Sequence, residues 1–163
     1  MEESTIKLVV KEGKEIELTK KQAELSDLLK SALVEYPTEV SFPLNELAEK
    51  DAEHIKEFLS HYNGEPPAEI QKPLSSNEIK SLTDEFSAEF IEKIPLEELP
   101  NLTMAANYMG IKSLFDLCCT KVALLCKDKN EEEIFKSLNI NETSTNEEKM
   151  KIKEANKWIE ENL

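Results

Sequence analysis

The chain has 163 residues, 39% of them hydrophobic and 33% charged, and its formal net charge is −14, with lysine as the only strong cation because the sequence has no arginine. That length suits one domain, or one domain with an appendage, and can bury a core without staples. A basic stripe and guanidinium forks for phosphate and guanine are missing, which argues against nucleic acid as a partner, and the acidity argues against an anionic membrane surface.

The opening MEESTIKLVV has no basic n-region and no long apolar run, and no stretch approaches a membrane span, so an intracellular location is expected. Without a secretory signal, the sequons at Asn101-Leu-Thr103 and Asn141-Glu-Thr143 read as chance matches. In TIKLVVKEGKEIEL, Ile6, Leu8 and Val10 alternate with polar residues, as do Ile16 and Leu18, which predicts two strands joined at Gly13. Thr19-Lys-Lys-Gln22 has capping-box spacing and opens a predicted helix through Leu25, Leu28, Leu29, Ala32 and Leu33, ended by Pro37. Val40, Phe42 and Leu44 predict a third strand. Ile55, Phe58, Leu59 and Tyr62 form the stripe of a second helix, stopped at Asn63-Gly64.

Residues 64 to 84 carry Pro66, Pro67, Pro73, Ser75 and Ser76, and read as an insert or mobile loop with short helical turns. Helical patterning returns at 85–92. Pro95 and Pro100 precede predicted helices at 101–109, 112–127, 131–138 and 146–161. Asn130 with Glu133, and Thr145 with Glu148, place reciprocal caps before the last two. No internal repeat is present.

The segment SLFDLCCTKVALLCK, 113–127, is apolar around most of its helical wheel, with Ser113, Asp116, Thr120 and Lys127 in one narrow polar stripe. Such a helix is buried on more than one side. The chain beyond it is largely Lys and Glu and supplies little cover. Phe115, Cys119 and Val122, with Ile134, Leu138 and Trp158, are therefore candidates for a groove that takes another apolar chain. The competing reading places all six in the helical half of the core. For Trp158, so near the end of a polar helix, an interface is favoured.

Catalytic readings have thin support. His54, Glu57 and His61 match no metal-binding spacing and read as solvated histidines beside Phe58. Cys118, Cys119 and Cys126 lie in one apolar helix, without zinc or disulfide spacing, and read as reduced, buried thiols. The three glycines make no phosphate loop. No metal and no cofactor are expected.

From LTMAANYMGIKSLFDL onward, the chain is similar to the Skp-type adaptor subunits of SCF (Skp–cullin–F-box) ubiquitin ligases. AANYMGIKSLFDL, NEEEIFKSLNI, TNEE and EANKWIEE keep the family's order and nearly its spacing. IKLVVKEGKEIEL resembles its opening hairpin, and VSFPL its third strand. The resemblance implies an α+β BTB/POZ fold over residues 1–127: a small, mainly three-stranded sheet with packed helices, and a variable insert at 64–84. It implies two C-terminal F-box-binding helices over 128–163, no catalysis, and work in the cytoplasm and nucleus. Asn107 and Tyr108 correspond to the pair facing the cullin N-terminal domain. The F-box surface corresponds to the helix of Phe115, Cys119 and Val122, the short helix with Ile134 and Leu138, the tail with Trp158, and the approach segment with Leu99 and Leu102. Trp158 is then covered by a partner's helix.

The sequence departs from the family at Pro100, Thr103, Phe135, Ile159 and Asn146. The last replaces the proline of TPEE, so proline modification there is excluded. Isolated Skp-type adaptors also self-associate through surfaces that partners cover, which leaves a weak homodimer open. An elongin-C-like adaptor, a non-ligase F-box complex and a BTB homo-oligomer are the alternatives. An elongin-C-like chain ends soon after the AAN helix.

Overall fold

The computed structural model describes residues 4–141 and 145–160. The opening Met-Glu-Glu, Thr143 of the second sequon and residue 161 of the predicted last helix lie outside the described residues. The chain divides into two compact units, Met1–Lys127 and Asp128–Leu163.

The first unit is built on a three-stranded sheet in the order β2-β1-β3. β1 (Thr5–Val10) runs antiparallel to β2 (Glu15–Thr19), with Ile6 opposite Leu18 and Leu8 opposite Ile16. β3 (Ser41–Leu44) pairs parallel to β1, with Leu8 opposite Phe42 and Val10 opposite Leu44. Strand geometry sends alternate side chains to one face, and these residues are all buried. Gly13 holds the hairpin at φ +82°, its amide donating to the Val10 carbonyl at 2.8 Å.

Helices cover the buried face. α1 (Lys20–Ala23) starts at the expected capping box of Thr19 and Gln22. The predicted continuous helix is broken, however. Ser26 leaves the helical path and opens α2 (Asp27–Glu35), its Oγ accepting from the Leu29 amide. α3 (Glu49–Tyr62) buries Ala52, Ile55, Phe58 and Leu59, and Asn63 ends it in the left-handed conformation. α4 (Glu85–Lys93) is capped by Asp84. α5 (Leu99–Met109) begins two residues before the predicted start, because Pro100 fits the first turn, where no amide donor is needed. α6 (Lys112–Cys126) follows after one tight turn. This is the expected α+β class.

Residues 64–84 do not hang free. Ile79 is buried at the head of a 3-10 turn, Ile79–Ser81. Glu69 pairs with Lys112 at 3.0 Å, and Lys72 with Asp116 at 3.0 Å. The Lys127 ammonium donates to the Leu74 carbonyl at 3.4 Å. The predicted mobile loop is thus tied along α6 by charges more than forty residues away in sequence.

The second unit holds α7 (Glu131–Ser137), α8 (Asn146–Ala155) and α9 (Lys157–Glu160). Both predicted capping boxes form. The predicted single helix over 146–161 breaks at Asn156, whose side-chain amide donates to the Ile152 carbonyl. Such local bonding competes with helix propagation. Neither α7 nor α8 has a buried residue.

Candidate docking surfaces

The last turns of α5 carry Asn107 and Tyr108. Ala105, Ala106 and Met109 face the core, which leaves Asn107 and Tyr108 outward. Met104, one turn before Tyr108, is 72% exposed and joins the same face. Sequence reasoning passed over Met104, although its i, i+4 relation to Tyr108 was available.

The end of α5 is fixed from behind. Gly110 adopts φ +66°, and a Cβ there would lie 2.9 Å from the Asp27 Cβ, so only glycine fits. The buried Ser26 hydroxyl donates to the Met109 carbonyl at 2.6 Å while also capping α2. The Asp27 amide donates to the Gly110 carbonyl. One serine thus joins the start of α2 to the end of α5 and sets where Asn107 and Tyr108 stand. Its sequence signal was a Ser-Asp cap inside an apolar period.

α6 is not buried all round. Leu114, Leu117, Cys118 and Thr120 are inside, whereas Cys119 and Ala123 are exposed. Phe115 and Val122 are half-buried against the core beside that open arc. Lys121, the one lysine amid the apolar residues, reaches the carbonyls of Ile91 and Ile94 at 2.6 Å each and satisfies the end of α4. Burial pulls its pKa down, against the opposing pull of Cys118 and Glu92. The expectation that Leu99 and Leu102 contribute surface is corrected. They are 1% and 0% exposed and belong to the core, because the inward face of α5 runs through them. At the departures nearby, Pro100 is exposed and the Thr103 hydroxyl turns back to the Leu99 carbonyl at 2.6 Å.

In the second unit, Ile134 and Leu138 are half-buried. Met150, Ile152, Trp158 and Ile159 are exposed, Trp158 by 62%. An exposed tryptophan forgoes a large part of the stabilisation that its burial would give.

The residues considered for catalysis are occupied elsewhere. His54 sits 3.3 Å from a Glu98 carboxylate oxygen, and Lys50 bonds the other oxygen. His61 stacks face to face on Phe86, with ring centroids 3.5 Å apart. Burial pushes the Cys118 thiol up to about 11, and burial with Asp116 raises Cys119, so neither is poised as a thiolate. Among the described residues, no group of three or more His, Cys, Asp and Glu is placed to hold a metal. Among the same residues, no helix is long and apolar enough to cross a membrane.

The chain is similar to known proteins over nearly its whole length. The Skp1 family, dimerisation domain, matches residues 112–159, which spans α6 to α9. The S-phase kinase-associated protein 1 homolog of Tetrahymena thermophila is 38% identical over 156 residues, covering 96% of this chain and 94% of that protein. The E3 ubiquitin ligase complex SCF subunit sconC of Arthroderma otae is 32% identical over 159 residues, covering 97% and 96%. The sconC subunit of Neosartorya fischeri is 31% identical over 159 residues, covering 97% and 99%. Similarity of this kind, at full length and with the C-terminal helices included, shows that the chain belongs to the Skp1 family.

Proposed function

We propose that the chain is the non-catalytic adaptor of an SCF ubiquitin ligase. Asn107 and Tyr108, with Met104, meet the cullin N-terminal domain. Phe115, Cys119 and Val122 of α6, and Ile134, Leu138 and Trp158 of the C-terminal unit, meet the F-box of a substrate receptor. The relatives named as SCF subunits support the assembly. The observation that carries the receptor face is the exposure of Trp158, with Met150, Ile152 and Ile159, in a unit where no residue of α7 or α8 is fully buried. An elongin-C-like adaptor is not favoured, because the family match runs on through residue 159.

The adaptor acts by proximity. Holding scaffold and receptor at two places on one chain makes ubiquitin transfer effectively intramolecular and raises the local concentration of substrate. The Ser26–Met109 and Asp27–Gly110 bonds keep the end of α5 in place, so bridging loses little to flexing there.

We also propose weak self-association of the free chain through the same apolar residues, in keeping with the dimerisation domain named by the family description. Sedimentation of the chain alone and with an F-box domain tests this. The domain should replace the dimer with a 1:1 complex, and a dimer that persists beside bound F-box would contradict it.

Titrations with a purified F-box domain and with a cullin N-terminal domain test the bridge. Trp158→Ala should lose F-box binding and keep cullin binding. Asn107→Lys/Tyr108→Lys should do the reverse. Wild type that binds neither partner would reject the adaptor reading.

A further inference from the structure

Neither docking surface so far uses the insert at 64–84. Yet its ties to α6 fall in a particular place. On the helical wheel, Asp116 and Lys127, which hold Lys72 and Leu74, adjoin the exposed arc of Cys119 and Ala123. On the other side of that arc stand Phe115 and Val122, half-buried against the core. The arc is therefore a strip with apolar side chains along one edge and the insert along the other.

The insert edge carries charge. The Lys72 ammonium lies 3.0 Å from an Asp116 oxygen, and its side chain is 65% exposed, whereas Asp116 is 23% exposed. The cation is thus the outward member of the pair. Its charge also opposes the upward push that burial and Asp116 exert on the Cys119 thiol, in keeping with a place beside the arc. On a chain with a net charge of −14, a lysine at the rim makes a local place where a carboxylate is attracted.

We propose that residues 72–74 form the second wall of the receptor-docking surface on α6, and that Lys72 selects receptor helices carrying a carboxylate beside their apolar anchor. The proposal rests on the F-box reading above. The insert then determines specificity: a helix seated on Phe115, Cys119 and Val122 has the insert along its flank, and the charge on that flank is read by Lys72.

The test uses the full chain and two forms of one F-box domain, one with the carboxylates beside its apolar anchor intact and one with them changed to amides. Wild type should prefer the intact form by about fivefold, more at low salt, as for a rim charge. Lys72→Glu should abolish that preference, and Lys72→Gln should reduce it. Asp116→Asn, which releases the pin but keeps the cation, should retain it, as should Lys30→Glu, a charge change on α2. Equal binding of both forms by wild type, or loss of preference in Asp116→Asn equal to that in Lys72→Glu, would overturn the role of Lys72. Failure of wild type to bind either form is a different result: it removes the F-box reading itself, and this proposal with it.

Discussion

The two units of the chain treat their apolar residues in opposite ways. In the first, Phe58, Phe90, Leu59 and Leu102 are almost completely buried, and the polar residues inside, Ser26, Ser87 and Thr120, are all hydrogen-bonded. In the second, capping boxes start α7 and α8, but no residue of either is buried. Local signals suffice to begin a helix, yet most helix stability in proteins comes from packing an apolar face. The first unit supplies that packing itself. The second leaves Met150, Ile152, Trp158 and Ile159 exposed, the residues that the proposed function assigns to a receptor.

Aromatic truncation gives the largest contrast. Phe58→Ala should lower stability by about 3–5 kcal/mol and the melting temperature by roughly 10 °C. Trp158→Ala should leave melting within about 1 °C, since Trp158 is 62% exposed, and should weaken F-box binding by about thirtyfold or more, as expected of an interface anchor. Thermal melts and calorimetric titration read both. A large melting shift in Trp158→Ala would erase the difference between the units.

A smaller effect is expected at Ser26. Ser26→Ala strips the cap from α2 and leaves the buried Met109 carbonyl without its donor, a loss of about 1–3 kcal/mol by denaturant unfolding. Cullin binding should weaken with F-box binding unchanged, because the end of α5 is released and no residue assigned to the F-box surface bonds to Ser26.

Asp84 gives a pH-dependent test of about 1 kcal/mol, the usual worth of a helix cap. Burial pushes its carboxyl up, but the Ser87 amide and the hydroxyls of Tyr62 and Ser87 outweigh this and hold it below the ordinary value. A depressed carboxyl stabilises the fold above its unfolded pKa, about 4, and that stabilisation is lost as pH falls through the lower folded value. The gap between wild type and Asp84→Ala should therefore be full at neutral pH and shrink below about pH 4. A gap constant across that range would contradict the bonding described.

The smallest effect is kinetic. At pH 8, iodoacetamide followed by peptide mass spectrometry should modify exposed Cys119 well before Cys118, which is buried and whose pKa is pushed up to about 11. Bound F-box domain should slow Cys119 and leave Cys118 unchanged.

Period-two and helical patterns made the strands and most helices legible, because one buried face imposes them. The breaks at Ser26 and Asn156 were not legible, since apolar spacing runs on through both and only a local side-chain bond interrupts the helix. The pins on the insert were hidden for another reason. Glu69 and Lys112, like Lys72 and Asp116, are paired by tertiary structure, and nothing in the composition of a Pro- and Ser-rich stretch marks them. At the candidate surfaces, Asn107 and Tyr108 were singled out through motif resemblance, and they stand outward. Leu99 and Leu102 were assigned to the surface through the same resemblance, but the inward side of α5 claims them. A motif locates a segment; which face of it is free depends on packing.

The most direct measurement is hydrogen exchange on the full chain alone, with a purified F-box domain, and with a cullin N-terminal domain. The two-surface reading predicts fast exchange over 146–159 in the free chain, because little packing there offsets ordering entropy. The F-box domain should slow that segment, and the cullin domain should slow only residues around 104–110. Protection of 146–159 already complete in the free chain and unchanged by the F-box domain, or both partners protecting the same segment, would contradict it.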